Sequence, residues 1–133
     1  MIRKGGDGVG ADTPSASTRQ TAAQDEILTR LAHLMRERYG ARLYLFGSRA
    51  RGTAHADSDY DVVAVSQAFQ GQRRVVRAPD RYRIWREAGG WGIGLDLQCY
   101  TPEEFREEIS GLGYLGSAKS RGELIRVTAP RAA

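Results

Sequence analysis

Between about Thr21 and Tyr39 the apolar residues Ile27, Leu28, Leu31, Leu34 and Met35 recur at helical spacing. Arg36 and Arg38 occupy the last turn, where cations suit the carbonyl end of a helix, and Gly40 follows as a stop. The period then changes. Leu43, Tyr44, Leu45 and Phe46 form an apolar strand that ends at Gly47-Ser48, where a short helical turn carrying arginines opens. A second apolar strand begins with Asp59-Tyr60-Asp61 and runs to Val65. Ser66 to Arg77 has no clear period and is broken by Gly71 and Pro79. Pro79 to Ala88 reads as a helix with Pro79 near its start and Tyr82, Ile84 and Trp85 as core contacts. A loop follows, Gly89-Gly90-Trp91-Gly92-Ile93-Gly94, whose glycines predict mobility. From Gly94 to Tyr100 the chain alternates, with Leu95, Leu97 and Cys99 on one face and Asp96, Gln98 and Tyr100 on the other, which predicts a third strand. Thr101-Pro102-Glu103-Glu104 is a helix start with the signature of a capping box, and Phe105 and Ile109 lie four apart behind it. A short element around Tyr114–Arg121 and a last strand or extended segment at Leu124–Val127 complete the pattern.

The 133 residues make one domain with room for a modest core. Residues 1–20 offer almost nothing to bury and are expected to be a disordered tail; 21–128 form the domain and 129–133 a second tail. The run Gly5-Gly6-Asp7-Gly8-Val9-Gly10 imitates a phosphate loop, but no strand precedes it and no apolar helix follows directly. A net charge of +4 suits an anionic small substrate such as a nucleoside triphosphate, or a weak nucleic-acid contact. The cations are scattered arginines rather than a block, which argues against a dedicated nucleic-acid-binding arm. The single Cys99 excludes an internal disulfide and reads as a small buried hydrophobe. No apolar run approaches the ~18 residues of a membrane span, and the expected location is the cytoplasm. His33 has no second His or Cys at metal spacing, so a zinc site is not expected.

The chemistry concentrates between Leu43 and Val65. On an extended strand Asp59 and Asp61 share a face, about 7 Å apart at Cα, with Tyr60 on the other. Two such carboxylates repel and call for a cation; hard oxygen ligands suit Mg²⁺, which prefers one or two carboxylates plus substrate phosphates. Gly47 lets the backbone approach a ligand, and the turn opened by Ser48 presents N–H groups that favour phosphate. Asp96 has no structural purpose on an otherwise apolar strand, although an edge carboxylate facing solvent is its simpler reading. Asp80 and Glu87 fall on a helix expected to be exposed, and Glu103, Glu104, Glu107 and Glu108 belong to the capped helix. Trp85 and Trp91 suit either core packing or stacking on a base.

Gly47-Ser48, ten intervening residues and then Asp59-x-Asp61 resembles the signature of the DNA polymerase beta-like nucleotidyltransferase superfamily, and the fuller FGSRARG…DSDYD string is most similar to its minimal nucleotidyltransferase (MNT) group. The resemblance covers roughly Thr21 to Val127. It implies an α/β (α+β) fold, a small mixed β-sheet flanked by helices. It also implies a Mg²⁺-dependent nucleotidyltransferase that uses ATP. Asp59, Asp61 and Asp96 would be both catalytic and metal-binding, and Gly47, Ser48 and Arg51 would hold the nucleotide. Of the two motif arginines Arg51 is the better placed to add charge; for Arg49 the plainer alternative is an exposed, outward-pointing salt-bridging residue. MNT proteins are often antitoxins that place AMP on a tyrosine of a HEPN-type toxin. That partner is one implication; a small-molecule acceptor such as an aminoglycoside, or neutralisation by binding alone, are the others.

Overall fold

A computed structural model describes residues 16–129, with side chains from Glu26 onward. The amphipathic stripe becomes helix α1 (Ala16–Tyr39), starting five residues before the expected Thr21. The expected tail segments 1–15 and 130–133, with the glycine run at 5–10, lie outside the described residues. Gly40, at φ 63°, closes α1: its N–H reaches the Arg36 carbonyl at 2.8 Å and the Ala41 N–H reaches Met35 at 3.3 Å. Strand β1 (Arg42–Phe46), helix α2 (Ser48–Arg51) and strand β2 (Tyr60–Val65) follow. The aperiodic stretch resolves into two single 3-10 turns, Gln67–Phe69 and Arg74–Val76. Next come α3 (Arg81–Ala88), β3 (Leu95–Tyr100), α4 (Pro102–Ser110), α5 (Tyr114–Ser120) and β4 (Ile125–Val127). The capping box forms as expected: the Glu104 N–H donates to Thr101 Oγ1 and the Thr101 N–H to Glu104 Oε1.

The sheet order is β3-β2-β1-β4. β1 is antiparallel to β2 and β4, while β2 and β3 run parallel, so the chain between them must cross over through α3. Period-two alternation divides the core. Tyr60, Val62, Ala64, Leu95, Leu97 and Cys99 face α1 and α3 and pack with Leu28, Leu31, Met35, Ile84 and Trp85. Val63, Val65 and Tyr100, with Phe46, face α4 and α5 and pack with Phe105 and Leu115. The fold is therefore a small mixed sheet between two helical layers. No helix among the described residues is long and apolar enough to cross a membrane.

Several local expectations need correction. Tyr82 is exposed, because α3 turns Ile84, Trp85 and Ala88 inward and leaves Tyr82 at the flank of that stripe. Trp85, by contrast, is a core contact as expected; its indole donates to the Ile93 carbonyl at 2.8 Å. That bond and the bond from the Gly90 N–H to the Trp85 carbonyl tie the glycine loop down. Gly90 serves close packing, since a methyl there would overlap the Trp85 ring. Asp80, on the start of α3, accepts from Arg38 and Tyr39 and joins α1 to α3. Cys99 is buried as expected, and burial pushes its thiol up to about 11.

Candidate active site

The tip of β1 sets the site. Gly47 has φ 76° and ψ −158°, a combination essentially reserved for glycine. This turns the chain sharply out of β1 and starts α2 at Ser48. Antiparallel register places Phe46 opposite Asp61, so the next residue, Gly47, lies against the Asp61 carboxylate. A methyl at Gly47 would sit 3.0 Å from Asp61 Cγ and overlap Oδ2. The absence of a side chain at 47 is what gives that carboxylate its space.

The neighbouring strand supplies Asp96. Parallel pairing aligns Asp61 with Asp96, so the two carboxylates stand side by side on the same face, on strands about 4.8 Å apart. Asp59 stands just before β2, over Gly94; a methyl at Gly94 would lie 2.6 Å from Asp59 Cγ. Asp61 is half-buried, whereas Asp59 and Asp96 are exposed. Burial first, then repulsion from Asp96 and Asp59, raises the Asp61 carboxyl above its ordinary range, and Arg51 opposes the rise. Among the described residues, none of the three aspartates makes an ion pair. The arrangement thus accumulates negative charge that a bound cation would neutralise.

The donor set, carboxylate oxygens only, fits a hard divalent cation. Among the described residues no three His, Cys, Asp or Glu side chains gather tightly enough to close a metal cage. An open half-site of this kind leaves coordination positions for substrate phosphate and water, as Mg²⁺ prefers.

Ser48 is half-buried at the opening of α2, beside Gly47. Arg51, one turn on, is exposed and reaches towards the Tyr114 hydroxyl at 3.5 Å. Arg49 fits neither reading, a phosphate-facing cation or an exposed salt-bridging residue. It is buried, its guanidinium donates to the carbonyls of Ser58, His55 and Ala56, and it lies 3.9 Å from the Tyr60 ring centroid. It holds the loop that delivers Asp59. The motif's two arginines are therefore divided, one inside as scaffold and one outside facing the carboxylates.

A cavity of about 330 Å³ opens over the paired aspartates, bounded by Phe46, Asp61, Asp96, Gln98, Tyr100, Glu108, Tyr114 and Leu115. Gln98 and Tyr100 share the alternating face of Asp96, so that pattern could have singled them out. Tyr114, Leu115 and Glu108 come from α4 and α5, and no local signal marks them. Burial is the first cause that raises the Tyr100 hydroxyl, which keeps it a proton donor; it gives its hydrogen bond to Gln98 at 2.7 Å.

The family model for the nucleotidyltransferase domain matches residues 27–111, which contain every residue of the predicted site. A search of curated proteins finds no match. Among solved structures, a candidate nucleotidyltransferase from Sulfolobus solfataricus has a TM-score of 0.52 at 17% identity, over 74% of this chain and 85% of that one. A toxin–antitoxin structure with AMP-PNP has a TM-score of 0.46 at 16% identity, over 78% of this chain and 74% of that one. The first of these is a likeness of fold.

Proposed function

Because this chain belongs to the nucleotidyltransferase domain family, we propose that it transfers AMP from ATP to a hydroxyl group of a partner protein. The observation that carries the chemistry is the mutual fit of Gly47 and Asp61, with Asp96 in register beside them. This sets a phosphate-binding turn against a row of carboxylates. Gly47 and Ser48 receive the β- and γ-phosphates, and Arg51 adds charge from the exposed side. Asp59 and Asp61, with Asp96 beside them, would hold Mg²⁺, which supplies charge neutralisation for the departing pyrophosphate. Asp96, the more exposed member of the register pair, orients the acceptor hydroxyl and takes its proton. The acceptor oxygen bonds to the α-phosphorus, the bond from that phosphorus to the bridging oxygen breaks, and pyrophosphate leaves with the electron pair. Positioning dominates such chemistry. No covalent nucleophile is needed, and Cys99, the one thiol, is buried with a raised pKa.

The resemblance of FGSRARG…DSDYD to MNT proteins supports a HEPN-type toxin as the partner. The test is to incubate the chain with ATP, Mg²⁺ and a HEPN-type protein, and to weigh that protein by mass spectrometry. One added adenylyl group, lost in Asp59→Asn and Asp61→Asn, is the expected result. Full neutralisation by both variants without any mass change would replace transfer with binding alone.

A further inference from the structure

A second concavity, about 670 Å³, runs along the outer edge of β3 and is unused by the proposed chemistry. Its floor is the edge strand, and its wall is built from the turn at Arg74–Val76 and the start of α3. Gln98 and Tyr100 bound both this groove and the aspartate cavity. Asp96 lies two residues before Gln98 on the same face of the same strand. The groove and the aspartate cavity therefore meet at Gln98 and Tyr100.

The wall is basic. Arg74, Arg77 and Arg81 line it, with no acidic side chain among the lining residues. Arg77 and Arg81 are already committed: they donate to the Cys99 and Leu97 carbonyls at 3.0 and 2.8 Å, and Arg77 also pairs with Glu104. Those two bonds cap the outward carbonyls of β3, so an incoming chain cannot extend the sheet through them. Recognition must run through side chains. Arg74 remains over the Tyr100 ring at 4.7 Å, without an ion pair among the described residues. Around it, Val75, Val76 and Tyr82 are 77%, 52% and 65% exposed. Arginine and tyrosine among exposed aliphatic side chains is the composition of a protein-binding surface. Nucleic acid is a poorer match, since the two exposed valines offer nothing to phosphate or base edges.

We propose that this groove docks an acidic polypeptide segment carrying aromatic or aliphatic anchors, held by Arg74, Val75 and Tyr82 and passing Gln98 towards Asp96. The assignment rests on the transferase reading only for the direction in which the segment points; docking can be measured without nucleotide.

The probe is a fluorescein-labelled glutamate–tyrosine copolymer, titrated by anisotropy against the full chain. Comparators are a lysine–tyrosine copolymer, polyglutamate and a single-stranded RNA oligonucleotide. Arg74→Glu and Tyr82→Ala are surface changes and should keep the melting temperature. Each is expected to weaken glutamate–tyrosine binding at least fivefold. Arg126→Glu, on the opposite edge strand β4, makes the same charge change and should weaken it less than twofold. Equal losses in Arg126→Glu, polyglutamate binding as tightly as the mixed copolymer, or absence of binding would each overturn the proposal. Tighter RNA binding lost in the same variants would replace the polypeptide with nucleic acid. If adenylyl transfer fails but the groove variants still weaken copolymer binding, only the catalytic reading falls. If transfer proceeds while the groove variants leave both binding and the acceptor KM unchanged, only the docking falls.

Discussion

Replacing Gly47 by alanine tests the geometry on which the site depends. Two separate effects follow from one methyl group. The backbone at φ 76° and ψ −158° lies in a region that costs a residue with a Cβ about 1–3 kcal/mol. The methyl would also stand 3.0 Å from Asp61 Cγ and overlap Oδ2, so the carboxylate must rotate away from its position beside Asp96. The first effect lowers the melting temperature by roughly 4–12 °C for a domain of this length. The second displaces the oxygen that, in the proposed mechanism, would hold Mg²⁺ beside the phosphates, and a loss of at least about a hundredfold in transfer rate is expected. Gly52→Ala separates the two. Gly52 has φ 78° and ψ 18°, and a methyl there meets nothing within 4 Å. It should cost about 1–2 kcal/mol of stability from the left-handed backbone, with transfer retained. The assay pairs thermal melts with the rate of AMP incorporation from ATP at saturating Mg²⁺. Transfer by Gly47→Ala within about twofold of the parent, or an equal loss in Gly52→Ala, would refute the reasoning.

Asp61→Asn should abolish transfer yet raise the melting temperature at neutral pH, because the Asp61 carboxyl is raised by burial and by repulsion from Asp96 and Asp59, and the neutral amide is spared both; a lower melting temperature would contradict this. Arg49→Met should destabilise the chain by about 2–4 kcal/mol in urea titrations, since it leaves the carbonyls of Ser58, His55 and Ala56 without their donor, whereas Arg51→Ala should leave stability within about 0.5 kcal/mol and act on the KM for ATP. Glu104 is held down to about 2, first by its hydrogen bond from Arg77, so its folded-state pKa lies below its unfolded one. Its stabilisation is fully present above the ordinary glutamate pKa and is lost as pH falls from there through about 2; Glu104→Gln should flatten that acid limb in melts recorded from pH 5 to pH 2.

The positions of the strands, the capped α4 and the three aspartates were legible in the chain because each depends on a local rule. Alternation assigns Asp96 and Gln98 to one face, the Thr101–Glu104 spacing sets a cap, and a glycine at 47 followed by a serine signals a tight turn into a helix. Tertiary structure decided what no local rule reaches. Register between β2 and β3, set by pairing across a crossover, is what puts Asp96 beside Asp61 rather than two residues away. Burial of Arg49 depends on three carbonyls from a loop six to nine residues on, which propensity cannot foresee. Tyr82 and Trp85 are both aromatic and lie on one short helix, and only the direction in which α3 meets the sheet separates the exposed ring from the buried one. The groove along β3 has the same origin. Its arginines come from one short stretch, Arg74 to Arg81, and they meet the Leu97–Tyr100 strand because a parallel sheet leaves an edge that the crossover must pass.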